Sequence, residues 1–417
     1  MAIDTANIEL WGDNIPWLCG LREKGRAAFK QYGWPNAKTE AWKYSYFNKK
    51  EFEALHIDNT PHHCDCNGHC HCHEKTATPF AAYGIKFCNG KLATEDFDLP
   101  AGVSVKPLVE ALFDGEAKKY LNKSFDMAKF PFAALNTALI ENGLMLVIER
   151  GTKLDLPIFI YYHQHAQAAN LYNIRNLIIA EKGAKATVVE YYEGSAEQPY
   201  LQNVVNEVFI ADSARLNHYI WNKEAKVARH IALNSVQIRQ NGYYEAFVAQ
   251  SECALCRHET YIELLQKGAA AEVNGVYRLS ENGKSDITTN VCHLDEHTNS
   301  HQLVKGVADG SAKAVFQGKI HIAPNAQQCE GYQQHKALLL SDEAEIDAKP
   351  ELEIFADDVQ CAHGNTCGDL DAEQLFYMQA RGINMAEARQ ILIKAHTDDA
   401  LGKISNKNVQ NWLLEKF

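Results

Sequence analysis

The sequence predicts a mainly β protein in which a long solenoid of stacked strands lies between an N-terminal mixed region and a short C-terminal run of helices. Two observations lead there. From residue 141 onward, turn pairs recur at Gly151-Thr152, Gly183-Ala184, Ser213-Ala214, Gly242-Tyr243, Gly268-Ala269, Ser311-Ala312 and Glu343-Ala344. They are 26 to 32 residues apart, apart from one interval of 43 that reads as an insertion around Ser280 to Ser300. Between the turns, apolar and polar residues alternate. Phe316, Gly318, Ile320 and Ile322 face one way, and Gln317, Lys319 and His321 the other. A sandwich needs turns roughly every 8–12 residues, and a propeller repeats about every 40–50. Stacked parallel rungs fit better.

Residues 1–140 read as helical and mixed. Trp17, Leu18, Leu21 and Ala28 fall near helical spacing until Gly33-Trp34-Pro35 breaks the pattern. A second segment runs from Thr39 to Tyr44, where Trp42 and Tyr44 read as packing residues. Ile85 to Leu92 forms a strand-turn around Asn89-Gly90, and Leu108 to Leu121 is helix-like.

Within this region His62, His63, Cys64, Asp65, Cys66, His69, Cys70, His71, Cys72 and His73 crowd into a loop bounded by Pro61 and Pro79. Such a loop binds Zn²⁺, Ni²⁺, Cu⁺ or Fe²⁺ in vitro whatever its role. Two readings stand: metal capture and delivery, or a solvated insertion that scavenges metal adventitiously. The spacing does not suit a zinc finger, whose ligand pairs are separated by roughly twelve or more residues.

Residues 141–356 form the solenoid. Residues 357–417 turn helical. Asp371 and Glu373-Gln374 resemble a capping box, Gly382 is a stop, and Asn384 with Glu387 marks a second start. Ala388, Ile391, Leu392 and Ala395 make one apolar stripe, and Val409, Trp412 and Leu413 another. These faces either pack on the end of the solenoid, which needs a cap, or dock a partner.

The chain has 417 residues, 46% hydrophobic and 23% charged, with a net charge of -12. That balance is globular, and it disfavours nucleic acid or an anionic membrane as partner. No apolar run suits a membrane span, and Met1 to Glu9 does not read as a secretory signal. The twelve cysteines are therefore expected as thiols in a reducing cytoplasm. There is no P-loop, no G-x-G-x-x-G after a strand, no G-x-S-x-G and no H-E-x-x-H. The chain is accordingly not expected to hydrolyse ATP itself. Cys253-Ala254-Leu255-Cys256, Cys292-His293, Cys329 and His335 read as packing or surface residues.

The working site is expected at the end of the solenoid, in Cys361-Ala362-His363-Gly364-Asn365-Thr366-Cys367-Gly368. An i, i+2 spacing on a strand puts Cys361 and His363 on one face. Thiol and imidazole together suit soft or borderline metals. Gly364 and Gly368 are expected to let the backbone turn behind them.

From Leu338 to Ile354 and on through Cys361-Ala362-His363-Gly364, the sequence resembles the SufB/SufD family of iron–sulfur cluster assembly proteins, and its SufD branch in particular. The resemblance continues through Asp371 to Gly382 and Ala386-Glu387-Ala388-Arg389. Upstream it takes in Glu40-Ala41-Trp42-Lys43-Tyr44, Pro131 to Asn136, Arg257-His258-Glu259, Asn274-Gly275, Lys305-Gly306-Val307 and Ala323 to Gln327. It covers nearly the whole chain except residues 55–80.

The resemblance implies a right-handed parallel β-helix between helical regions. It implies a non-catalytic scaffold that pairs with a SufB-like paralogue, or with itself when alone. It also implies a SufC-like ATPase on the C-terminal helices. His363 and Cys361 would then be interface ligands for a transient nascent cluster or iron, and iron acquisition is a further expectation. Cys367 departs from the family pattern and is either an added ligand or a core thiol. Two other classes compete: a β-helical enzyme acting on polysaccharide, and a metal buffer built on the 62–73 loop.

Overall fold

The computed structural model describes residues 8–45, 55–57, 78–94, 97–165, 168–251 and 253–417. The His/Cys-rich stretch 62–73 lies outside them. Four short strands come first: β1 (His56–Ile57), β2 (Tyr83–Cys88), β3 (Lys91–Leu92) and β4 (Val103–Pro107). The next eight strands are β5 (Asn142–Ile148), β6 (Ile158–Gln164), β7 (Asn170–Ala180), β8 (Lys185–Gly194), β9 (Leu201–Ile210), β10 (Arg215–Lys223), β11 (Arg229–Ile238) and β12 (Tyr243–Gln250). The last eight are β13 (Leu255–Leu264), β14 (Ala270–Leu279), β15 (Lys284–His293), β16 (Asn299–Ala308), β17 (Lys313–Ile322), β18 (Cys329–Leu339), β19 (Glu345–Ile354) and β20 (Val359–Gly368).

From β5 to β20 odd strands stack in one sheet and even strands in a second, and every pairing along each stack is parallel. A rung is one strand from each sheet. The alternation read from the sequence sets which side chains enter the lumen. Ile160, Val188, Val208, Ile220, Val236 and Ile262 belong to one buried apolar cluster. An asparagine ladder enters it with its amides paired: Asn176 Nδ2 donates to Asn206 Oδ1 at 2.9 Å, and Asn206 Nδ2 to Asn234 Oδ1 at 2.7 Å.

Where the chain crosses from the first sheet to the second, one residue in each rung but the last has positive φ: Gly151, Gly183, Ser213, Asn241, Gly268, His297 and Gln328. This series corrects the sequence reading. There is no insertion around Ser280 to Ser300. That stretch holds β15, bounded by a turn at Glu281 and another at His297. Ser311-Ala312 and Glu343-Ala344 turn on the opposite side of the solenoid from Gly268, so the long interval is one and a half rungs. The missed turns hold His297 and Gln328, which tolerate the left-handed region but do not announce it as glycine does.

The two ends differ. At the first, β4 lies antiparallel on β5, and β3 antiparallel on β2. The helices α1 (Pro16–Tyr32), α2 (Leu108–Phe113) and α3 (Pro131–Ala138) cover this end of the first sheet. Phe132 and Leu135 pack with Trp42 on Leu171, Leu201 and Ile231, whereas Tyr44, expected to pack beside it, is exposed with the Lys43 ammonium over its ring. The covering is anchored by charge. Arg175 and Glu207 form a 2.6 Å ion pair with both side chains fully buried. Glu207 also accepts the N–H groups of Asn122, Lys123 and Ser124. At the last rung, among the described residues, β19 pairs only with β17 and β20 only with β18.

Three helices follow: α4 (Ala372–Ala380), α5 (Met385–Leu401) and α6 (Lys407–Lys416). The expected caps are present. Asp371 accepts from the N–H groups of Glu373 and Gln374, and Asn384 from that of Glu387. The helices do not cap the solenoid's end. Val409, Trp412 and Leu413 of α6 pack against Phe159, Val189, Tyr219 and Trp221 on the outer face of the second sheet. The buried residues of α5 are Ala388, Ile393, Thr397, Ala400 and Leu401. Ile391 and Ala395 of the expected stripe are exposed, because Ile393 and Thr397, one turn apart, take the face that meets the solenoid. No residue of α4 is buried.

Candidate metal-ligand edge

The solenoid runs past the expected boundary at 356, because β20 pairs in parallel register with β18 along Val359–Gly368. Cys361, His363, Asn365 and Cys367 align with Gly331, Gln333, His335 and Ala337. On β18, Gln333, His335 and Ala337 are buried in the lumen. The ligand-type side chains of β20 therefore lie on the lumen side of a rung that no described strand covers. Gly364 and Gly368 lie within the strand, and neither has positive φ. They do not make the expected turn.

Cys361 is half-buried and packs with Ile320, Ile322, Ala326 and Cys329. Burial pushes its thiol above the ordinary cysteine range. A hydrogen bond from the Gly331 backbone opposes that rise and nearby Cys329 adds to it. His363 is exposed. At about 3.3 Å per residue, the Cα atoms of Cys361 and His363 are roughly 7 Å apart, close enough to grip one ion from the same side. Cys367 is exposed, with its thiol also pushed up by burial. It lies roughly 13 Å along the strand from His363, so the strand does not bring it to the same ion. Among the described residues no three His, Cys, Asp or Glu side chains converge as a metal site. The edge is half a site.

Beneath it lies a feature not seen in the sequence. Gln333, directly under His363 in register, is 3% exposed, and among the described residues neither its Nε2 nor its Oε1 has a hydrogen-bond partner. Its amide reaches across the lumen over Gly318, where a Cβ would lie 1.8 Å from Nε2. Only glycine leaves that space. A buried amide with both ends unpaired is expensive unless another group reaches it. Gln302, one rung lower, accepts from Thr289 Oγ1 at 2.6 Å and has only its Nε2 unpaired among the described residues. A glutamine two residues after Gly331 carried no motif, and its opposition to Gly318 depends on the fold.

His335, beside Gln333, is a structural residue. Its Nδ1 meets Asn365 Oδ1 at 2.8 Å and its Nε2 the Tyr277 hydroxyl at 3.1 Å. Burial lowers its pKa and keeps the ring neutral, so Nδ1 donates to Asn365 and the tyrosine donates to Nε2. Cys253, Cys256, Cys292 and Cys329 are buried free thiols, in agreement with their reading as packing residues. Arg257 is a clamp. Its guanidinium stacks over Trp42 at 4.0 Å and pairs with Glu259 and Asp286, while its NH1 donates to Ser45 at 2.9 Å. The Trp-Lys-Tyr and Arg-His-Glu motifs therefore fasten the N-terminal segment to the solenoid.

A second exposed surface adjoins this region. Phe376 and Tyr377 of α4 are 73% and 59% exposed, and Met385 and Ile391 are exposed beside them. An open groove of about 950 Å³ runs between α4 and α5, lined by Asp371, Phe376, Tyr377 and Leu392. No described helix is long and apolar enough to cross a membrane.

Fold and edge together define a β-solenoid protein with covered first rungs, an open last rung and soft ligands on that rung. The family model "SUF system FeS cluster assembly, SufBD core domain" matches residues 162–396, and "SufBD protein N-terminal region" matches residues 7–160. The chain belongs to the SufBD family of iron–sulfur cluster assembly proteins. It is 28% identical over 291 residues to the iron-sulfur cluster assembly protein SufD of Escherichia coli, covering 69% of this chain and 68% of that one. It is 28% identical over 291 residues to the iron-sulfur cluster assembly SufBD family protein slr0076 of Synechocystis, covering 68% and 64%. It is 29% identical over 288 residues to the chloroplastic protein ABCI7 of Arabidopsis thaliana, covering 67% and 61%. The chain thus spans about two thirds of the length of these relatives.

Proposed function

We propose that this chain is a non-catalytic, SufD-like scaffold subunit for iron–sulfur cluster assembly in the cytoplasm. Its last rung pairs with the matching edge of a SufB-like paralogue. His363 and Cys361 then complete a ligand set for iron or a nascent cluster, which is cargo and not a resident cofactor. A SufC-like ATPase docks on the exposed α4 face. Iron acquisition belongs to the same half-site.

The observation that carries the reading is the open last rung. Two edge strands expose unpaired backbone groups, which templates pairing with another chain. The only thiol–imidazole pair of β20 lies on its lumen side, above a buried glutamine amide that lacks partners. A half-site shared between subunits holds iron but can release it when one subunit moves. A permanent centre would more naturally use four thiolates from one chain.

The test is anaerobic co-expression with the SufB-like and SufC-like partners of the same organism, followed by iron and acid-labile sulfide analysis. The His363→Ala complex should assemble and lose most of its cluster. Unchanged cluster content would make His363 structural and overturn the ligand assignment.

A further inference from the structure

Away from the open end, the outer face of the first sheet holds a cavity of about 640 Å³. The assembly role does not use it. Its size falls within the roughly 300–1,000 Å³ of small-molecule sites. The floor is apolar and aromatic. Ile179 is buried, and the rings of Tyr120 and Phe209 stand 5.1 Å apart at 47°. The walls are the turns that leave β7, β9 and β11. Backbone bonds place Glu181, Ala211 and Arg239 on successive rungs at one ladder position: Ala211 donates to the Ala180 carbonyl and Arg239 to that of Ile210, each at 2.9 Å. Ala211 is the small member, and the notch opens where its neighbours' long side chains stand apart.

The rim is cationic. Arg150, Lys182 and Arg239 face one lining carboxylate, Glu181, which accepts the backbone N–H of Arg150 at 3.0 Å. Lys182 has Asp212 at 3.8 Å. The guanidinium groups of Arg150 and Arg239 make no hydrogen bond or ion pair among the described residues. With Asp212 counted beside Glu181, three cations face two carboxylates and leave one positive charge, on a chain whose net charge is -12. Forked guanidinium donors suit phosphate oxygens, and tyrosine and phenylalanine faces suit a flat ring.

We propose that this cavity binds a phosphate monoester carried on a planar ring, of the mononucleotide kind. The ring lies against Tyr120 and Phe209, and the dianion lies between Arg150 and Arg239. The site is independent of the ligand edge, and each can fail without the other.

The test is calorimetric titration of the full chain with adenosine 5′-monophosphate, adenosine and inorganic phosphate, at physiological salt. The monophosphate should bind one-to-one with Kd below about 1 mM. Adenosine and phosphate should each bind at least about tenfold more weakly. The exposed double variant Arg150→Gln/Arg239→Gln should weaken the monophosphate about tenfold or more with an unchanged circular dichroism spectrum. Absence of saturable binding would overturn the proposal. So would equal binding of phosphate alone, which marks only a solvated cationic rim, or undiminished affinity in the double variant.

Discussion

The two ends of the solenoid are built from the same kind of rung and finished in opposite ways. At the first, antiparallel strands and helices bury the edges, and the Arg175–Glu207 pair ties the covering down with both charges out of water. At the last, β19 and β20 stop with one side unpaired, and most of β20 is exposed. Natural proteins normally blunt such edges. The contrast assigns stability to one end and association to the other, which predicts how each responds to mutation.

The largest expected effect on folding lies at the covered end. Arg175→Met leaves Glu207 buried without its partner and should destabilise the chain by about 3–5 kcal/mol, read from denaturant unfolding. An effect below about 1 kcal/mol would mean that the covering is not held by this pair.

Phe376→Asp on α4 should leave stability within about 0.5 kcal/mol of wild type, since the residue is exposed. It should weaken capture of the SufC-like ATPase about 30-fold or more, as loss of an aromatic anchor does. Undiminished capture in a pull-down would move the docking surface elsewhere.

The Cys361 thiol gives a pH test. Its pKa is raised by burial, so near neutral pH it is protonated, and binding iron must release that proton. Iron retention by the assembled complex should therefore rise with pH from 7 to 9, by up to about tenfold per unit, and Cys361→Ser should flatten the profile. A profile that falls over this range would exclude Cys361 as a thiolate ligand.

The smallest effects concern Gln333 and Cys367. Gln333→Leu removes an unsatisfied buried amide and should be neutral or stabilising by about 1 kcal/mol in the isolated chain. In the complex it should cost cluster retention, because the amide then has a group to meet. Cys367→Ser should alter neither property.

Much of this architecture was legible in the sequence because period-2 alternation directly sets which side chains enter the lumen. The same alternation puts Cys361 and His363 on one face of β20. What escaped depends on contacts between distant residues. β15 is hidden because His297 takes a turn position that glycine, serine or asparagine holds on earlier rungs. The buried face of α5 was misjudged because Ile391 and Ile393 are equally apolar, and only the packing partner separates them. Gln333 gains its meaning from Gly318 across the lumen, and Arg175 from Glu207 on the next strand of its sheet. Neither pair carries a local signature.

The most direct test of the open-end account is hydrogen exchange of the β19 and β20 amides, in the chain alone and bound to its SufB-like partner. The account predicts slow exchange on partner binding at the last rung, centred on Val359–Gly368, with little change at β4 and β5. Unchanged exchange in β19 and β20, or protection confined to the covered end, would contradict it.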